Sequence, residues 1–207
     1  MAAERNDRNK SAYVWPVNEE KENCKIKLEI GSSVRPDPYS SMEVKSYIYE
    51  YLEEHGMQGD IREFELETIN VNTLDITRTF LDKVMAVKRH ACCGSLLSKV
   101  RHIYDVTALY RRLDIKAFLA DTARLKELLR LTKETDSYYL QKRNLPADYN
   151  PSGPFAFDEW RKYFNDEIRR RYETLHEDLL YTSEKQNFED AIQTFEEINQ
   201  LFSEIDE

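Results

Sequence analysis

No apolar run in the 207 residues approaches the ~18 that a membrane-crossing helix needs. The polar start, Met1 to Lys10, lacks the apolar stretch of a secretory signal. A membrane protein and a secreted one are therefore poor readings, and the chain is expected to be soluble and cytoplasmic. Glycine and proline number only five and six, too few for collagen or a low-complexity linker. Of the three cysteines, Cys24, Cys92 and Cys93, none makes a CxxC pair. Adjacent cysteines cannot easily share one metal or bridge each other without strain, so all three read as ordinary reduced thiols. The four histidines, His55, His90, His102 and His176, show no pair at metal-ligand spacing, and neither a nucleophile elbow nor a Walker loop is found.

What is present suffices for one substantial domain or two small ones: 41% hydrophobic, 33% charged and 12% aromatic residues. A net charge of −9 argues against a general nucleic-acid coat or a membrane-surface binder. The charge is divided, however. From Ile76 to Arg143 there are 15 Lys/Arg against 7 Asp/Glu, leaving the remainder at −17. A basic band crosses an acidic protein.

Hydrophobic periodicity gives the order of elements. The first ten residues read as frayed. Cys24 to Ile30 alternates in period two, with Cys24, Ile26, Leu28 and Ile30 on one face, the pattern of a half-buried strand ended by Gly31-Ser-Ser and Pro36-Asp-Pro38. A helix is expected from about Ser41, and a second strand over Ile61 to Val71, where Phe64 and Leu66 alternate with glutamates. From Asp75 the spacing turns helical. Thr77 is the expected N-cap of a helix burying Phe80, Leu81, Val84, Val87 and Ala91. Further helices are predicted from about Ser98 to a buried Leu113, and from Ile115 to Tyr139, as two. After the loop 148–155 come an amphipathic helix from Phe157 to Leu175 and another over Phe188 to Phe202, expected to pack antiparallel. The predicted class is α+β and predominantly helical.

Three positions could carry chemistry: Glu29, Lys83 and the group Arg101, His102, Asp105. On a helical projection Lys83 lies about 40° from Val87, at the margin of the buried stripe, and Asp105 about 40° from both Leu109 and Arg101. A bland reading exists for each. Arg101 and Asp105 would form an i,i+4 ion pair worth roughly 0.3–0.5 kcal/mol, Lys83 would snorkel, and Glu29 would be an exposed strand residue. Periodicity alone does not reach function.

The ordered segments go further. Arg78-Thr-Phe-Leu-Asp-Lys83, Lys88-Arg89 and Arg101-His-Ile-Tyr-Asp105-Val106 resemble the paired "RTFxEK" and "RHxYDL" segments of the AbiEii/AbiGii nucleotidyltransferase toxins. Ile26 to Gly31 is similar to that family's later core strand, and Trp160 to Leu201 to its C-terminal helical region, so the likeness runs from about Lys25 onward. The resemblance implies a polymerase-β-like fold: a remnant of the nucleotidyltransferase sheet over 1–75, then a helical domain over 76–207. It implies Lys83 and Asp105 as catalytic residues, with Lys83 contacting the triphosphate beside Arg78 and Arg101. Glu29 would fill a metal-binding carboxylate position, the implied cofactors being Mg²⁺ and an NTP. Metal polarises the phosphoryl group, a cation stabilises the departing pyrophosphate, and an acid near the acceptor orients or deprotonates it.

The sequence departs from the family pattern in one respect. No Asp-x-Asp pair precedes Glu29. Gly31-Ser32 is followed by Asp37 and Glu43 without such a pair, and Gly94-Ser95 by Asp105 with threonine at 107. Mg²⁺ usually takes one or two carboxylates plus substrate phosphates, so Glu29 alone should make a poor site. The chain is thus expected to match the C-terminal two-thirds of such an enzyme, as a truncated product, one half of a split protein or a descendant that lost catalysis, inactive in isolation. The partners implied are a cognate antitoxin, tRNA as acceptor, and an upstream half or a second copy. A reading from another class is a non-catalytic helical module whose exposed faces engage a protein partner such as a cognate antitoxin, suggested by the missing metal strand and by C-terminal helices rich in aromatics, Trp160, Tyr163, Phe164, Tyr172, Phe188, Phe195 and Phe202, most of which read as core.

Overall fold

Long-range strand pairing, which local periodicity cannot register, shapes the first third of the chain. The computed structural model describes residues 2–5, 9–14, 26–31, 37–140, 145–146, 149–178 and 186–206, with side chains for 37–138, 140, 145–146, 149–175 and 186–205. Strands β1 (Ala2–Arg5), β2 (Asn9–Val14) and β3 (Ile26–Gly31) form an antiparallel sheet in that order, with Glu29 in register with Ser11. The stretch expected to fray is therefore partly strand, its backbone groups paired across the ladder. Cys24, Ser32, Ser33 and Pro36 lie outside the described residues.

A second antiparallel pair, β4 (Tyr39–Val44) and β5 (Ile69–Leu74), encloses two short helices, α1 (Tyr47–Glu54) and α2 (Gln58–Glu63). Two expectations are corrected here. The helix predicted from Ser41 starts at Tyr47, because Ser41 to Val44 pair with β5 and Ser46 supplies the cap, its Oγ accepting the Tyr49 amide at 3.0 Å. The strand predicted over Ile61 to Val71 begins as helix. Glu65 turns into a positive φ of 51° and the Leu66 amide donates to the Ile61 carbonyl at 2.9 Å, so the Phe64/Leu66 alternation belongs to a turn closing α2.

Beyond Asp75 the chain is helical: α3 (Ile76–Cys92), a 3₁₀ turn (Leu96–Lys99), α4 (Arg101–Tyr110), α5 (Leu113–Ala120), α6 (Thr122–Leu140), α7 (Phe157–Trp160), a second 3₁₀ turn (Arg161–Tyr163), α8 (Asp166–Asp178) and α9 (Phe188–Asp206). The N-cap of α3 is Asp75, not Thr77: its Oδ1 accepts both the Thr77 amide at 2.8 Å and the Thr77 hydroxyl at 2.5 Å. Leu113, expected inside, opens α5 and is 88% exposed. The single helix predicted over Phe157 to Leu175 is broken, and Asn165 Oδ1 caps its second part by accepting the Glu167 and Ile168 amides, each at 3.1 Å.

One apolar core runs through these helices from Phe80 to Ile205. Its densest part is aromatic, with Phe157, Trp160, Phe164 and Phe195 at 4.7–6.0 Å between ring centroids, mostly edge to face. At roughly 1.5–3 kcal/mol per fully buried large side chain, these rings hold α7 and α9 together. Trp160, Phe164, Tyr172, Phe188, Phe195 and Phe202 are all interior and so belong to the core. The protein is α+β and mainly helical. Among the described residues no helix is long and apolar enough to cross a membrane.

Candidate functional site

α3 and α4 pack closely against each other, and their contact carries a polar seam. Gly94 makes the chain reversal between them possible. Its φ of 69° suits a residue without Cβ, and the following Ser95 amide closes the end of α3 on the His90 carbonyl at 2.9 Å. The reversal sets Lys83 of α3 against Asp105 of α4, with Nζ donating to Oδ2 at 2.6 Å. Both side chains are about one-third exposed, at 28% and 34%, so the pair is reachable from solvent.

Two histidines extend the seam. His102 Nδ1 stands 3.8 Å from the same Asp105 oxygen and is buried with no hydrogen-bond partner. Its ring lies nearly parallel to that of His90, with centroids 6.0 Å apart, and His90 Nδ1 is 2.8 Å from Ser95 Oγ. Burial alone would push the Asp105 carboxyl up, but His102 and Lys83 facing it outweigh that, and its pKa falls below the ordinary aspartate value. Asp105 is thus held as a carboxylate. Lys83 keeps two further N–H donors for another acceptor, because an ammonium has three.

The other predicted site residues make no described contact with this pair. Arg78 is five positions before Lys83, about 140° around the helix, and is wholly buried. Its Nε donates to Asp82 Oδ1 at 3.0 Å and its Nη2 to Thr135 Oγ1 of α6 at 3.3 Å. Burial pushes the Asp82 carboxyl up, and the Arg78 guanidinium offsets this only in part. Arg101 is exposed, one turn from Asp105, and lines a cleft of ≈ 430 Å³ with Leu97, Ser98, Val100, Arg171 and Leu175. No Arg101–Asp105 ion pair forms among the described residues; Asp105 pairs with Lys83 instead. Glu29 sits in the middle of β3, and its side chain lies outside the described ones. Of the four basic and acidic side chains with described positions, the structure brings together Lys83 and Asp105 only.

Sequence reasoning singled out His102 together with Arg101 and Asp105 but missed His90, which it tested only for metal spacing. Lys83 and His90 are seven apart, and His102 and Asp105 three apart, the spacings that put residues on one helical face. The Lys88-Arg89 pair is engaged within the fold. Lys88 donates to the Pro154 carbonyl, and Arg89 Nη1 reaches both oxygens of Asp136 on α6 at 2.7 and 2.6 Å. No group of three or more His, Cys, Asp or Glu able to hold a metal occurs among the described residues. Asp105, ionised but already paired, offers one carboxylate, short of the donor set a divalent cation needs from protein and substrate together.

A family model described as the nucleotidyl transferase AbiEii toxin of a type IV toxin–antitoxin system matches residues 3–196. The chain belongs to the AbiEii family. The match begins well ahead of Lys25, so the likeness extends over β1 and β2 as well as the later segments. No curated protein and no solved structure matched the chain. Within this AbiEii protein, the Lys83–Asp105 contact joins the two segments that carry the resemblance, which lie on different helices.

Proposed function

We propose that this AbiEii-family chain binds the triphosphate of an NTP at the α3–α4 seam and belongs to a toxin that transfers a nucleotide to an acceptor. The observation carrying this reading is the 2.6 Å Lys83–Asp105 contact between the two motif segments. Lys83 donates to the phosphates with the N–H groups not given to Asp105 and stabilises the charge that builds on the leaving pyrophosphate. In the transfer, an acceptor oxygen forms a bond to the α-phosphorus, the bond from that phosphorus to the bridging oxygen of the pyrophosphate breaks, and the acceptor proton is released. With its pKa lowered, Asp105 is a weak base and acts mainly by orienting the acceptor hydroxyl.

Glu29 is the acid the resemblance assigns to Mg²⁺, which would supply polarisation of the phosphoryl group if it entered with the NTP. Transfer would need an Asp-x-Asp segment supplied from elsewhere to hold the metal. tRNA suits the acceptor role because exposed Arg101 and Lys126 lie in the basic middle of the chain. Arg78, fully buried between α3 and α6, acts through the fold instead of touching nucleotide.

Calorimetric titration of Mg²⁺–NTP into the wild type and Lys83→Ala tests the reading. Saturable heat in the wild type, with affinity reduced at least about tenfold in the variant, supports it. Equal heats, or no binding by either protein, would remove Lys83 from its assigned role and the seam from the nucleotide.

A further inference from the structure

The segment from Tyr39 to Leu74 is unlike the rest of the molecule. None of its residues joins the main core, and only Leu52 and Ile61 are buried within it. The register of β4 and β5 puts Met42 opposite Val71 and Val44 opposite Ile69, which aligns four apolar residues on one face of the two-stranded sheet. All four are open to solvent, at 40–61% exposure. Soluble proteins rarely leave a contiguous apolar face of this kind without a use for it. Among the described residues each strand pairs only with the other, so the outer edges of β4 and β5 have no described partner strand.

Charge selects what could cover this face. Tyr39 to Leu74 holds eight Asp/Glu against two Lys/Arg, a net −6. Glu50, Glu54, Glu63, Glu65 and Glu67 are exposed, and the one ion pair within the segment among the described residues is Lys45–Glu53. Nucleic acid and anionic lipid carry the wrong sign. A second copy seated face to face would set −6 against −6.

We infer that the β4–β5 face is a docking site for an extended segment of another protein in which basic and apolar residues alternate. Apolar positions of that segment cover Met42, Val44, Ile69 and Val71, its backbone adds a strand to an outer edge, and its Lys or Arg side chains meet the surrounding glutamates. The surface is independent of the nucleotide reading, because Lys83 and Asp105 lie on α3 and α4.

The full chain, titrated with a fluorescently labelled octapeptide of alternating lysine and valine and followed by anisotropy, tests the inference. Expected are one-to-one saturation, protection of amides 39–44 and 69–74 from hydrogen exchange on binding, and weakening by at least about tenfold in about 0.5 M salt. Val44→Gln with Val71→Gln should weaken binding as much while leaving the thermal midpoint in place, since both sites are exposed. Lys83→Ala should bind the peptide like wild type, which separates this proposal from the nucleotide one. Equal binding of an alternating glutamate–valine peptide, absence of saturable binding, or a concentration-dependent dimer that protects the same amides in the free chain overturns the inference.

Discussion

Lys83 Nζ and Asp105 Oδ2 meet at 2.6 Å across the α3–α4 contact although 22 positions separate them in the chain. The contact makes the Asp105 charge pH-sensitive in a defined direction. Its carboxyl titrates lower in the folded chain than the ~3.9 of an unfolded aspartate. The stabilisation is therefore complete above that unfolded value and disappears as pH falls through the lower, folded one. Solvent access limits its size to about 0.2–1 kcal/mol. Asp105→Asn should lower the thermal midpoint at pH 7 by more than it does at pH 3. A gap that is equal or widens towards acid would show that the carboxylate is not stabilised by its neighbours.

Arg78 and Asp82 predict a different response. Arg78 is wholly buried, with Nη1 lacking a partner, and Asp82 Oδ2 is buried and unpartnered as well. Removing the guanidinium alone takes from the part-buried Asp82 its ion-pair partner, so Arg78→Ala should cost about 3 kcal/mol, from cavity and lost pairing together. Arg78→Leu with Asp82→Leu removes both charges and should recover most of that loss. Chemical denaturation of the two variants gives the comparison. If the double variant also retains NTP binding in the calorimeter, Arg78 serves the fold; binding lost from a fully folded double variant would return it to the nucleotide.

The helices were legible where the information is local. Phe80, Leu81, Val84, Val87 and Ala91 recur at helical spacing, and all are buried in α3. Strand β4 was not legible, because Tyr39 to Val44 reads as neither clean alternation nor helix until Leu74 to Ile69 is set beside it. The break at Phe164 was hidden for a related reason. The apolar stripe continues through it, and only Asn165, a cap in place of a helical interior residue, marks the stop. At the site, the two motif segments could be named from their residue types and order. That Asp105 pairs with Lys83 in preference to Arg101, and that His102 faces it, depends on the turn at Gly94 and the packing of two helices.

Gly94 offers a direct test of that turn. Its φ of 69° disfavours any residue with a Cβ, while a Cβ there would meet nothing within 4 Å. The cost of Gly94→Ala should therefore be purely conformational, about 1 kcal/mol, offset slightly by reduced freedom in the unfolded chain. Urea unfolding should show the change as a lower midpoint at unchanged slope. A neutral result would mean that the backbone reaches α4 by another conformation and that the Lys83–Asp105 distance is not set by this residue.

Arg89 and Asp136 form the second bridge of α3 to α6, and their geometry sets a measurable coupling. One guanidinium nitrogen reaches both carboxylate oxygens, and the two side chains are only 21% and 20% exposed. Nearby, the Tyr149 hydroxyl is buried without a partner, and burial and the Asp136 charge push its pKa up, so the phenol stays neutral. A charge-assisted pair this far from water should show a coupling of about 1–3 kcal/mol in a double-mutant cycle of Arg89→Ala and Asp136→Ala, above the range for exposed pairs. Each single variant should lose more stability than the second substitution takes from it, because the first strands a partner. Salt distinguishes the cause: a coupling that survives about 1 M NaCl belongs to a shielded pair, whereas one that vanishes belongs to the surface and would contradict the burial of the α3–α6 contact.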